Sequence, residues 1–219
     1  MHKWFMNVGL MLIAAVAVSA AHAQAGVTPV NPPQPVDNDG KVEVLEIFAY
    51  GCIHCAELDS PFEAWRKKQA MDVKVKRIPT PVPIMGIDSS MLYYTLEALG
   101  QIDRLHPKIF EAIHLEKVVL GNPAALSKWL EKNGVEPKKY EAAQSSFSVV
   151  TKASRARQIV MAYQIRQTPT LIVNGRNLVV EQKVGGIPAM LATVDRLVGE
   201  SRATVKAASA PVINKAAVK

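Results

Sequence analysis

The segment Val42-Glu43-Val44-Leu45-Glu46-Ile47-Phe48-Ala49-Tyr50-Gly51-Cys52-Ile53-His54-Cys55 decides how the rest of the chain is read. From Val42 to Phe48 apolar residues fall on both alternating faces, which predicts a strand covered on both sides. After Ala49-Tyr50-Gly51 the period changes. Cys55, Leu58, Phe62 and Trp65 recur at spacings of three, four and three, one stripe of an amphipathic helix. Pro61 lies past the first turn of that helix and is expected to kink it. Cys52 thus stands where a strand gives way to a helix, with Cys55 one turn further in.

Thiol–disulfide exchange needs a thiolate, a second thiol close by, and access for a partner. The unpaired N–H groups and the positive dipole end of the predicted helix favour a negative sulfur at Cys52. Cys55 lies on the apolar stripe and is expected to be buried. The asymmetry makes Cys52 the attacking sulfur and Cys55 the one that resolves a mixed disulfide. An imidazolium at His54, between the two thiols, would stabilise the Cys52 thiolate further; an exposed loop histidine without electrostatic role is the plain alternative. Glu46 stands among apolar neighbours six residues before Cys52. Buried there, its carboxyl would have a raised pKa and could relay protons to Cys55; at a strand edge it would simply be solvated.

These are the only cysteines among the 219 residues. A bridge across two residues gains little loop entropy, so the pair suits opening and closing better than structural stapling. A metal site is the competing use, but zinc takes four ligands and there is no second cysteine pair. His106 and His114, eight apart on a predicted helix, suit surface or core positions better than ligation. No metal or other cofactor is expected.

The net charge of +7 sits mainly at the ends. Residues 1–23 carry Lys3 and no acid, and residues 201–219 carry Arg202, Lys206, Lys215 and Lys219 and no acid. Setting those five aside leaves +2 on residues 24–200, which gives no support to a nucleic-acid face. Lys3, the apolar run Val8 to Ala20 and the small residues of Ala21-His22-Ala23 predict an export signal over 1–23, cleaved after about Ala23. The run is shorter than the roughly 20 residues a spanning helix needs. Export to an oxidising compartment fits the cysteine pair.

Residues 24–40, with four prolines and Asp37-Asn38-Asp39-Gly40, predict an extended lead-in. Residues 72–78 alternate as a second strand, and residues 41–85 form a first strand–helix–strand half. Residues 86–165 change character to helices. Leu92, Leu96 and Leu99 mark one, and Leu105, Ile109 and Ile113 a second. Asn122-Pro123 caps a third that runs to Gly134, and the last spans about Ser148 to Ile165. Strands return in residues 166–200: Thr170 to Val173 and Asn177 to Val180 flank Asn174-Gly175, a hairpin signal, and a helix follows from Pro188 to about Gly199. Residues 201–219, rich in Ala and Lys, are expected to be a disordered tail.

With both halves in view, the chain resembles the DsbA-type periplasmic disulfide oxidoreductases. Val44-Leu45-Glu46-Ile47-Phe48 followed by Cys52-Ile53-His54-Cys55 looks like the family's strand and active-site helix. Tyr163-Gln164-Ile165-Arg166, Thr168-Pro169-Thr170 and Val173-Asn174-Gly175 look like its second signature. The likeness spans about residues 40–200. It implies an α/β thioredoxin-like fold with a helical domain inserted between the βαβ and ββα halves. It also implies a cis Pro169 packed against the disulfide, with Thr168 backbone turned to pair with an extended substrate. Ile53 would touch the same substrate. A strongly acidic first cysteine and an oxidising disulfide are properties of that family.

The chain departs from the pattern at two positions that touch the disulfide, with Ile53 where the family usually has Pro, and Thr168 where Val is frequent. The implied function is a dithiol oxidase that donates the Cys52–Cys55 disulfide to reduced, unfolded exported proteins and is reoxidised by a DsbB-like membrane quinone reductase. Residues 24–40 are too short for the dimerisation domain of the superfamily's isomerases, which favours the oxidase; a monomer is expected. A disulfide isomerase or dedicated reductase is the alternative of the same class; a non-catalytic chaperone or metal carrier is that of another.

Overall fold

A computed structural model of the chain describes residues 26–37 and 39–208. The predicted export signal, and the end of the basic tail from residue 209 on, lie outside the described residues. The elements are β1 (Val27–Pro29), β2 (Val42–Phe48), α1 (Ile53–Lys67), β3 (Val73–Pro79), α2 (Ser89–Ala98), α3 (Ile102–His114), α4 (Pro123–Lys132), α5 (Pro137–Gln144), α6 (Phe147–Ala162), β4 (Thr170–Val173), β5 (Asn177–Val180), α7 (Glu181–Val184) and α8 (Ile187–Ala208). The sheet order is β1-β5-β4-β2-β3. β2 pairs parallel with β3 across α1 and antiparallel with β4, whose hairpin partner is β5. This is a thioredoxin-like βαβ unit and ββα unit, with α2–α6 between them.

β2 carries apolar residues on both faces because both faces are covered; all seven residues are buried. Val42 and Val44 pack with Leu58, Phe62 and Trp65 of α1 and Met190, Val194 and Leu197 of α8. Leu45 and Ile47 pack on the other side with Tyr94 of α2 and Val149, Ala153 and Ala156 of α6. A third cluster is the core of the helical block, with Leu96, Leu105, Ile109, Ile113 and Leu130; Phe48, Tyr50 and Cys55 belong to it. The deeper of the two sulfurs is therefore packed against the insertion.

The local signals explain the boundaries. Asp88 caps α2 by accepting from Ser90 and Met91 N–H, Asn122 caps α4 ahead of Pro123, and Ser146 caps α6. Asn174 (φ 49°) and Gly175 (φ 66°) form the predicted hairpin turn, both in the left-handed region that such a turn requires. A Cβ on Gly175 would also lie 2.2 Å from the Gln34 carbonyl oxygen.

The structure differs from the sequence reading in three places. The lead-in is not wholly extended and unpacked, because Val27–Pro29 pairs with β5 and closes that sheet edge, where a strand proline is tolerated. The last helix does not end near Gly199 but runs to Ala208. Val205 packs on the α1–α8 core and Arg202 pairs with Asp72 at 2.8 Å, so residues 201–208 are held rather than loose. Glu181–Val184 form a short helical turn that no pattern announced. Helix α1 continues through Pro61 to Lys67. Among the described residues, no helix is long and apolar enough to cross a membrane.

Candidate active site

Cys52 is the N-cap residue of α1, with extended backbone (φ −91°, ψ 118°) and no side-chain cap. The strand-to-helix turn before it is crowded: a Cβ on Gly51 would lie 2.7 Å from the Ile84 carbonyl oxygen. Only glycine lets the loop 80–87 approach the backbone so closely. Both cysteines are free thiols, Cys52 partly exposed and Cys55 buried.

The two sulfurs have opposite electrostatics. The Cys52 thiol is lowered to about 5. The largest cause is the hydrogen bond from the Cys55 thiol; the Thr168 side chain and the N–H groups of Cys55 and His54 add to it, and partial burial opposes it. Cys55 is pushed far up, first by burial and then by the adjoining Cys52 sulfur. One sulfur is an anion at neutral pH and its partner holds a proton.

The Thr168–Pro169 peptide is cis. It brings the Thr168 carbonyl oxygen to 3.2 Å from Cys52 Sγ, although the residues are 116 apart in sequence. Thr168 thus meets Cys52 across the site, with Pro169 next to it in the chain. Ile53 is half-exposed beside Cys52, an apolar surface next to the reactive sulfur.

His54 sits as expected between the thiols, but its ring faces acids. Nδ1 lies 3.2 Å from Glu57 Oε2 and 3.4 Å from Glu181 Oε2 on α7. Neither contact has hydrogen-bond alignment, and the atoms of the longer pair are shielded from water. Two carboxylates require a proton on Nδ1.

Glu46 is buried in the central strand, not solvated at an edge. Burial pushes its carboxyl up, and Arg77 and His106 pull back part of that rise. Its partner is Arg77, whose Nε donates to Glu46 Oε2 at 2.9 Å and whose Nη2 reaches Asp59 at 3.1 Å and Glu63 at 3.4 Å. The structure therefore ties Glu46 into an ionic network beneath α1.

Sequence reasoning missed a second set of residues. Tyr50, two residues before Cys52, is fully buried. Its N–H donates to Ser89 Oγ at 2.8 Å, its carbonyl accepts from His114 Nε2 at 2.8 Å, and its hydroxyl lies 2.8 Å from His106 Nδ1. Burial holds the Tyr50 phenol well above its ordinary range, so it keeps its proton. His106 Nε2 lies 3.1 Å from Asp59 Oδ1 but outside hydrogen-bond alignment. His106, buried as a core histidine, and His114 are thus polar neighbours of the turn. Their spacing along a predicted helix was visible, but nothing local pointed them at Tyr50. Among the described residues no group of three or more His, Cys, Asp and Glu side chains is arranged to hold a metal.

The site is a half-exposed acidic thiol at a helix N-terminus, a proton-holding thiol beneath it, and a cis-proline loop opposite. Such a set can accept or donate a disulfide. The family model for the DSBA-like thioredoxin domain matches residues 62–198, starting just beyond the cysteine pair. The thiol:disulfide interchange protein DsbA of Bordetella parapertussis is 41% identical over 189 residues, 86% of this chain and 90% of that protein. The DsbA of Burkholderia cepacia is 38% identical over 76% of this chain and 79% of its own length. The crystal structure of Pseudomonas aeruginosa DsbA superposes with a TM-score of 0.76 at 32% identity, covering 83% of this chain and 95% of that one.

Proposed function

The chain belongs to the DSBA-like thioredoxin domain family and is a thiol–disulfide oxidoreductase, and from that premise we propose how its own residues run the exchange. The observation that carries the reading is the opposed ionisation of the two sulfurs. Cys52, at about 5, is a stable leaving thiolate, and Cys55 is a ready proton acceptor once released.

In the oxidised protein a substrate thiolate attacks Cys52 Sγ. The Cys52–Cys55 bond breaks, a substrate–Cys52 disulfide forms, and the electron pair leaves on Cys55, which takes up a proton. A second substrate thiolate then attacks its own half of the mixed disulfide. The substrate disulfide closes and Cys52 leaves as the thiolate that the α1 N-terminus favours. Two electrons pass from substrate to protein, and of the two substrate protons one stays on Cys55 and one goes to water. Because a stabilised thiolate favours the reduced protein, the disulfide is an oxidant.

Thr168 and Pro169 line the approach, where the Thr168 backbone is placed to pair with an extended substrate segment, and Ile53 offers apolar contact. His54 modulates the charge at Cys52. Glu46, buried with a raised pKa and paired with Arg77, relays protons to Cys55. The substrates are reduced exported proteins met in the periplasm after cleavage of the leader near Ala23, and a DsbB-like quinone reductase restores the disulfide to a monomeric protein.

Cysteine substitution tests this. Cys55→Ala should accumulate a mixed disulfide between Cys52 and a reduced substrate, and Cys52→Ala should form none and lose oxidase activity. Oxidase activity that survives Cys52→Ala overturns the assignment.

A further inference from the structure

The inserted helical block binds every polar group of one residue in the redox turn. Tyr50 belongs to the loop between β2 and α1, and each of its three polar groups is bound by that block: N–H by Ser89 at the start of α2, carbonyl by His114 and hydroxyl by His106, both on α3. All three contacts are 2.8 Å, and Tyr50 and Ser89 are fully buried. Phe48, Phe110 and His106 close around the Tyr50 ring with centroids 5.1–5.4 Å away. Such a residue has no alternative partners and no room to rotate.

The carbonyl of Tyr50 belongs to the peptide bond that leads into Gly51 and Cys52. The orientation of that peptide sets where the α1 N–H groups, which stabilise the thiolate, lie relative to the sulfur. A carbonyl only accepts, so His114 Nε2 must donate. We propose that His114 is a positioning residue for disulfide exchange, fixing the Tyr50–Gly51 peptide so that Cys52 keeps its thiolate-stabilising geometry, with Ser89 and His106 as the two further anchors. The insertion is then a structural determinant of redox poise, acting through the backbone and touching no substrate. The proposal rests on Cys52 being the exchanging sulfur.

The test compares His114→Phe with His114→Gln. The first keeps a ring against Phe110, which stacks on His114 at 6.3 Å, but removes the donor. The second restores an N–H donor. Both are read by ultraviolet titration of the Cys52 thiolate in the reduced protein and by equilibration with glutathione. His114→Phe should raise the titration midpoint and shift the equilibrium toward the oxidised protein about three- to tenfold, the range for one lost buried hydrogen bond. His114→Gln should lie closer to wild type on both readouts. Should His114→Phe fail to fold, Ser89→Ala releases the other end of the same residue and should give the same direction of shift. Unchanged titration and equilibrium in a folded donor-less variant overturn the proposal, as does an equal shift in the Phe and Gln variants. A wild-type protein that does not exchange with glutathione overturns the assignment of Cys52 instead.

Discussion

The ionisation of Cys52 has a consequence for folding that can be measured without any substrate. In an unfolded chain a cysteine ionises near pH 8.5, whereas Cys52 in the folded, reduced protein does so at about 5. The folded value is the lower one, so between these limits the native state carries the anion while the unfolded state binds the proton. The stabilisation is complete above about pH 8.5, shrinks as the pH falls, and is nearly gone at about pH 5. Linkage for one such group gives about 2.7 kcal/mol at pH 7 and about 0.4 kcal/mol at pH 5. Cys52 is only partly buried, and solvent screening roughly halves these figures, leaving about 1.3 kcal/mol at pH 7. Cys55 adds nothing in this window, because a thiol pushed upward departs from its unfolded behaviour only above about pH 8.5.

The assay is urea unfolding of the wild type and Cys52→Ser, both kept reduced, across about pH 5 to pH 8. Every other titrating group is common to the two proteins and cancels. The stability of the wild type relative to the variant should grow by about 0.7 kcal/mol per pH unit through this window, half the full linkage slope. A difference that stays constant with pH would mean that the sulfur ionises alike in both states, and the leaving-group argument would fall with it.

Three further outcomes are expected. Arg77→Leu strips the guanidinium from two buried carboxylates, Glu46 and Asp59, and should cost about 3–5 kcal/mol in urea unfolding at neutral pH. Gly51→Ala places a Cβ 2.7 Å from the Ile84 carbonyl oxygen, a backbone atom that cannot swing away; about 1–3 kcal/mol of stability should be lost on the same assay. Glu181→Gln removes a negative charge 3.4 Å from His54 Nδ1. The field at Cys52 becomes more positive, and the glutathione equilibrium should move about two- to fivefold toward the reduced protein, an effect that should shrink in a His54→Ala background.

What the sequence disclosed and what it withheld divide along the reach of the interactions. Val42–Phe48 announced itself because a strand covered on both faces must be apolar on both, and Asn174-Gly175 because a two-residue hairpin demands left-handed backbone. The cysteine pair was legible for the same reason, since two residues of spacing on a helix place one sulfur at the end and the other a turn inside. The edge strand Val27–Pro29 was not legible, because three residues ending in proline carry no alternation and owe their conformation to the open edge of β5. The end of α8 was misjudged because an Ala- and Lys-rich run has one composition whether it floats or coils. Its fate rests on Val205 reaching the core and Arg202 reaching Asp72, 130 residues away.

The same limit governs the site. Sequence supplied the atoms that react, Cys52 and Cys55, but not the atoms that hold them. Tyr50 meets His106 and His114 across 56 and 64 residues, and Glu46 meets Arg77 across 31. Each of these is a buried polar group that must find a partner wherever packing places one, and no local period records such a debt. The distribution is itself informative about mechanism. The exchanging thiols stand at a helix N-terminus, which the βαβ half supplies, whereas the turn before them is anchored by α2 and α3. A thioredoxin-like half could thus be recognised from its own residues, while the tuning of its reactivity lies in an insertion whose helices, taken alone, show nothing but apolar stripes.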